Sequence, residues 1–130
     1  MSAIQPSPAR ASILLVDDEP ALLDAMRLNL EAHFDVHTAS SVEEAEMLLA
    51  LQRCDVVVTD HLMPNELGLN FLVRAKDRYP GMRRILVTGY MNPELLSRAS
   101  QVAGLSACLL KPVRHVEIMR EIQRALATVA

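Results

Sequence analysis

Asp17 and Asp18, Asp60, Thr88 and Lys111 each stand directly after a short aliphatic run, and together they supply carboxylates, a hydroxyl and an ammonium. Carboxylates that converge need an offsetting charge: two of them about 4 Å apart repel by about 4 kcal/mol at an effective dielectric of about 20. Lys111 can neutralise part of that repulsion. A hard divalent ion with oxygen ligands can neutralise the rest, and Mg2+, which keeps several waters, is the abundant candidate. Such a set suits phosphoryl transfer, with Asp60 as the nucleophile and the cations stabilising charge on the transferring oxygens.

These residues can act together only if the chain brings them to one place. Five aliphatic or β-branched runs, residues 13–16, 35–38, 56–59, 84–87 and 107–110, alternate with stretches of helical periodicity. Pro20 opens the first helix, with Leu22, Leu23, Met26 and Leu30 on one stripe. Ser41 followed by Glu44 has capping-box spacing for the second, whose apolar face of Ala45, Leu48 and Leu49 runs to about Leu51. The third spans residues 69–79 and is stopped by Pro80 and Gly81. Asn92 with Pro93 opens a fourth that ends near residues 99–102, and the fifth spans 115–127 with Val116, Met119, Ile122 and Leu126 on one side.

Strand and helix in alternation predict a parallel sheet covered on both faces, and Val56, Val57 and Val58 in succession suit a central, doubly buried strand. The expected class is α/β: a three-layer, doubly wound (βα)5 sandwich of the flavodoxin-like type, strand order 2-1-3-4-5. Ligands of such sheets bind beyond the carboxyl ends of the strands, near the switch point between strands one and three. With neighbouring strands about 4.8 Å apart, Asp17, Asp18, Asp60, Thr88 and Lys111 converge on that edge. The outer second strand ends in Ala39 and Ser40, which carry no such chemistry.

A chain of 130 residues that is 51% hydrophobic and 22% charged is one compact domain. Residues 1–11, with Pro6 and Pro8, read as a flexible N-terminal arm, and residues 12–130 as the domain. A net charge of −3, 3% aromatics and no Trp argue against direct nucleic-acid binding. The apolar run at 13–16 meets three acidic residues at once, unlike a secretory segment, and no run approaches the roughly twenty apolar residues of a membrane span. A cytoplasmic location without a membrane partner is the expectation. Cys54 and Cys108 read as reduced core thiols, and Met26, Met47 and Met119 as core-facing gap fillers. Met91, Leu95 and Leu105 are candidates for a more exposed apolar face.

The strings ILLVDDEP, VVVTDHLMPNELG, ILVTGY and CLLKPV, in this order, resemble the four motif regions of the receiver domain of bacterial two-component response regulators, a resemblance that covers nearly the whole chain from Ile13 to Ala127. The resemblance implies that Asp60 accepts a phosphoryl group from a sensor histidine kinase or phosphotransfer protein. It assigns Asp18 and Asp60 as direct Mg2+ ligands, Asp17 as a water-mediated one and the backbone carbonyl of Leu62 as a further ligand. Thr88 and Lys111 would hold the phosphoryl oxygens, the Lys111-Pro112 bond would be cis, and Gly68 and Met63-Pro64 fit the family's loop. The domain would act as a switch rather than a conventional enzyme, repacking the face of helix four, strand five and helix five to meet a downstream effector. The chain departs from the pattern at Cys108, where the family usually has an aromatic switch residue. Leu62 and Tyr90 fall where receiver domains tune water access to the acyl phosphate; both are bulky, which predicts slow autodephosphorylation.

Each residue also has a blander reading. Asp17 and Asp18 could cap the following helix, Asp60 and Thr88 could be loop residues, Lys111 a surface cation and His61 a polar neighbour. The joint occurrence of Asp17, Asp18, Asp60, Thr88 and Lys111 at strand ends favours the reactive reading, whereas His61, an imidazole without a partner cluster, reads as a polar loop residue. A haloacid-dehalogenase-type phosphatase would place its nucleophile after the first strand, whereas here the acidic pair is early and the single Asp central. A flavin carrier would need backbone amides and glycine where this chain has carboxylates. A phosphorylation-independent scaffold receiver remains the alternative.

Overall fold

The structure, a computed structural model, describes residues 10–89 and 92–127. Ten elements alternate: β1 (Ser12–Val16), α1 (Pro20–Leu30), β2 (Asp35–Ala39), α2 (Val42–Leu51), β3 (Val56–Asp60), α3 (Gly68–Arg78), β4 (Arg83–Thr88), α4 (Pro93–Ala103), β5 (Ala107–Leu110) and α5 (His115–Ala127). The strands form one parallel sheet in the order β2-β1-β3-β4-β5, as expected. The first nine positions of the expected arm, together with Tyr90 and Met91, lie outside the described residues. At the end of that arm, Arg10 Nη1 donates to the Glu31 carbonyl at 2.7 Å, and the Ala11 carbonyl accepts from Asp35 N at 2.9 Å.

Strand alternation divides the core in two. Leu14, Val16, Val57 and Leu86 face α2, α3 and α4, meeting Ala45, Leu49, Phe71, Leu72 and Ala103. Ile13, Leu15, Val56, Val58, Ile85 and Val87 face α1 and α5, meeting Leu23, Leu30, Ile118 and Ile122. β3 is buried along its whole length, as its unbroken valines require. The Ser41 half of the expected capping box forms, with Ser41 Oγ accepting from Glu44 N at 3.0 Å, while the Glu44 carboxylate accepts from Ser40 N, one residue before the cap, at 2.6 Å.

Several side chains correct the expectation. Met47 is exposed, because the inward stripe of α2 is Val42, Ala45 and Leu49 and position 47 lies about 200° around the helix from 45. Leu51, at the end of α2, is exposed as well. The stripe of α5 is Ile118, Ile122 and Ala125, leaving Val116 and Leu126 exposed. Leu105 is half-buried against the core rather than on an open face.

Both cysteines are free and half-buried. Burial pushes the Cys54 thiol up to about 12, and its Sγ donates to the Val56 carbonyl at 3.2 Å. Since the thiolate is the nucleophile, alkylation of Cys54 at pH 8 is expected to be about a thousandfold slower than that of a free thiol. Peptide-resolved iodoacetamide labelling checks this; labelling of the native chain at the rate of the denatured chain would contradict it.

Candidate functional site

The register of the sheet assembles the site. Val16 pairs with Thr59, so Asp17 follows β1 beside Asp60 at the end of β3. Asp60 pairs with Val87, so Thr88 lies one residue beyond on β4. Thr88 pairs with Leu110, and the Thr88 carbonyl then accepts from Lys111 N at 2.8 Å. Likewise Asp17 N donates to the Ala39 carbonyl at 3.1 Å and His61 N to the Val87 carbonyl at 2.8 Å. Main-chain pairing thus continues past the strand ends and fixes where each functional side chain departs.

Carboxylate oxygens of Asp17, Asp18 and Asp60 lie within 4.8 Å of one another. Lys111 Nζ is 3.2 Å from Asp60 Oδ2. Asp17, Asp60 and Thr88 are buried and Asp18 is exposed, so the group opens to solvent on one side. Burial raises the Asp17 carboxyl above the ordinary range; the Glu19 N–H that it accepts at 2.9 Å opposes the shift, and the negative charge of Asp60 reinforces it. Three carboxylates against one ammonium leave the pocket with an excess of negative charge, and every side-chain donor atom on the carboxylates is a hard oxygen. That donor set fits Mg2+. The capping alternative receives little support: the N-cap of α1 is Glu19, whose side chain makes no cap bond, and the bond to Asp17 precedes the helix.

The loop after Asp60 is closed tightly. Gly68 N donates to the His61 carbonyl at 2.7 Å, and a Cβ on Gly68 would lie 2.2 Å from the Asp60 carbonyl oxygen. Leu62 is 67% exposed and bridges to Leu67 across this loop. His61 Nδ1 is buried without a hydrogen-bond partner among the described residues, and burial holds the imidazole below its usual range. The Lys111-Pro112 peptide is cis. Cys108 packs against the α2–α3–α4 side of the core.

Arg74 was not singled out in the sequence. It spans from α3 to Glu66 in the loop and to Glu46 on α2, with Nη2 at 2.7 Å from Glu66 and 3.2 Å from Glu46. Its hydrogen bonds hold the Glu66 carboxyl below the ordinary range. Nothing in the spacing of residues 46, 66 and 74 signals this pairing, which arises only when α2 and α3 pack side by side.

A doubly wound five-strand sheet thus carries an acidic pocket and a lysine at its switch point. Residues 13–123 match the response regulator receiver domain family. The chain is 38% identical over 106 residues to hydrogenase transcriptional regulatory protein HoxA of Cupriavidus necator, which covers 82% of this chain and 22% of that protein. It is 37% identical over 107 residues to alginate biosynthesis transcriptional regulatory protein AlgB of Pseudomonas aeruginosa, covering 82% and 24% respectively. The crystal structure of a response regulator receiver domain protein (CheY-like) from Methanospirillum hungatei JF-1 matches with a TM-score of 0.84 at 31% identity, over 91% of this chain and 94% of that one. This chain belongs to the receiver domain family of response regulators. It spans less than a quarter of the length of the two transcriptional regulators. Among the described residues, no helix is long and apolar enough to cross a membrane.

Proposed function

We propose that the chain is a phosphorylation-activated switch whose acceptor is Asp60. The observation that carries this reading is the Lys111 ammonium 3.2 Å from Asp60 Oδ2, beside the clustered carboxylates of Asp17 and Asp18. Asp18 and Asp60 would bind Mg2+ directly, Asp17 through water, and the Leu62 carbonyl would complete the protein ligands. When bound, Mg2+ supplies positive charge to the phosphoryl oxygens. Asp60 attacks through a carboxylate oxygen; the bond from phosphorus to the donor's histidine nitrogen breaks, and the released imidazole takes up a proton. Lys111 and the Thr88 hydroxyl then hold the new oxygens.

The donor is a sensor histidine kinase or a phosphotransfer protein, and the setting is cytoplasmic. Phosphorylation adds about −1.5 to −2 charges, drawing Thr88 toward them and shifting the α4–β5–α5 face toward a downstream effector protein or domain. The names of the matched transcriptional regulators support an effector acting on transcription. With a net charge of −3, this domain itself makes no direct nucleic-acid contact. Cys108 is too small to swing as a ring, so the signal passes through main-chain and helix movement. Incubation with acetyl phosphate and Mg2+ is expected to add the mass of one phosphoryl group to the native chain and none to Asp60→Asn; no addition to either would point to the scaffold alternative.

Leu62 offers no group to orient an attacking water, and the phosphorylated form should persist. Leu62→Asn combined with Tyr90→Glu is expected to shorten its lifetime by roughly tenfold or more. Phosphate release followed over time checks this, and equal lifetimes would remove the role of these positions.

A further inference from the structure

β4 opens with two arginines, and each grips the C-terminal end of a different helix. Consecutive strand residues point to opposite faces: Arg84 lies on the Leu86 side, under α4, and Arg83 on the Ile85 side, under α5. Arg84 is buried, and its guanidinium donates to the carbonyls of Ala103 at 2.9 Å, Gly104 at 3.2 Å and Met82. Lys76 Nζ adds a contact to the Val102 carbonyl at 3.5 Å. On the other face, Arg83 Nε donates to the Ala125 carbonyl in the last turn of α5 at 3.1 Å. Helix C-termini present unpaired carbonyls and the negative end of the helix dipole, which a guanidinium fork satisfies.

Gly104 is shaped by this grip. Its φ is +58°, and an added Cβ would sit 3.2 Å from Arg84 Nη2. α4 packs along α3 and β5, and the buried residues among its described side chains are the small Ala99 and Ala103, whereas α3 buries Phe71 and Leu72, and α5 buries Ile118 and Ile122. Thr88 shares the Arg84 face at the opposite end of β4, about 13 Å along the strand. One strand therefore presents α4 with a fixed end and a switching end.

Resting on the phosphoacceptor reading, we propose that Arg84 is a positioning residue that fixes the C-terminal end of α4 as a pivot, so that phosphorylation moves the Thr88 end of α4 and leaves its Gly104 end in place. Hydrogen–deuterium exchange of the whole chain tests this, with Mg2+ alone and with Mg2+ plus beryllofluoride in place of the phosphoryl group. In the native chain beryllofluoride is expected to change exchange at the amides of residues 92–97 at least about threefold and to leave residues 100–106 unchanged. In Arg84→Met, residues 100–106 are expected to exchange about tenfold faster with Mg2+ alone, and the beryllofluoride response to spread into them. A merely structural role would not cause that spread. Arg84→Lys should recover part of the protection, and Gly104→Ala, which presses on the guanidinium, should loosen the same amides if Arg84→Met does not fold.

Equal responses at both ends of α4 in the native chain, or unmoved 100–106 amides in the folded variant, overturn the pivot. Beryllofluoride binding is read separately at residues 60–62. No change there overturns the phosphoacceptor reading and with it the switching half of the proposal, while the comparison in Mg2+ alone upholds or overturns the anchoring half.

Discussion

Gly68→Ala is expected to destabilise the domain by about 3 kcal/mol, at the upper end of what overpacking costs, and to impair phosphorylation together with stability. The position opens α3, where alanine would ordinarily gain up to about 1 kcal/mol over glycine. That gain is overridden here because the added Cβ would stand 2.2 Å from the Asp60 carbonyl oxygen and 3.1 Å from both Asp60 C and His61 Cα. All three are main-chain atoms, so no side chain can rotate away. Relief requires moving either α3 or the end of β3, and the end of β3 carries Asp60, the proposed acceptor. A urea midpoint well below that of the native chain checks the sign; an unchanged or higher midpoint would show that the loop yields freely.

Lys111→Met is expected to separate cation binding from phosphoryl acceptance. Removing the ammonium leaves the repulsion among Asp17, Asp18 and Asp60 less compensated, so Mg2+ affinity should rise. Lys111 is about one-third exposed, and solvent screening limits the effect to about 1 kcal/mol, or about fivefold in affinity. Phosphorylation by acetyl phosphate at saturating Mg2+ should fall about a hundredfold, the scale of removing one preorganised donor from a developing anion. Calorimetric Mg2+ titration and the rate of mass gain measure the two effects. A rate within threefold of native would remove Lys111 from the transferring oxygens.

Much of the fold was legible because its period changes visibly along the chain. Val56 to Val58 mark a strand with no solvent face, and Pro20, Ser41 and Pro80-Gly81 mark helix ends through local chemistry that does not depend on tertiary context. The pocket was legible for the same reason: if strands are parallel, whatever follows them must gather at one edge. Side-chain direction on the helices was less legible. Met47, Val116 and Leu126 are apolar and lie within amphipathic stretches, but the inward stripe is chosen by contact with the sheet, so small residues such as Ala45 and Ala125 occupy it instead. The role of the β4 arginines is not legible in the sequence for a related reason. A charged pair at the head of an aliphatic run reads as the solvated start of a strand, and only the packed structure shows Arg84 buried against helix carbonyls. The signal was the run of Ile85, Leu86 and Val87 beginning immediately after two cations.

The proposed switch requires that side chains from four strand ends form one divalent-cation pocket around Asp60. Titrating Mg2+ into the isotopically labelled chain and following backbone amide resonances tests it most directly. Residues 17–18, 60–62, 88 and 111 are expected to shift together along one saturating curve, and Asp18→Asn to weaken that curve. Shifts spread over unrelated acidic residues, or none at these positions, would contradict it.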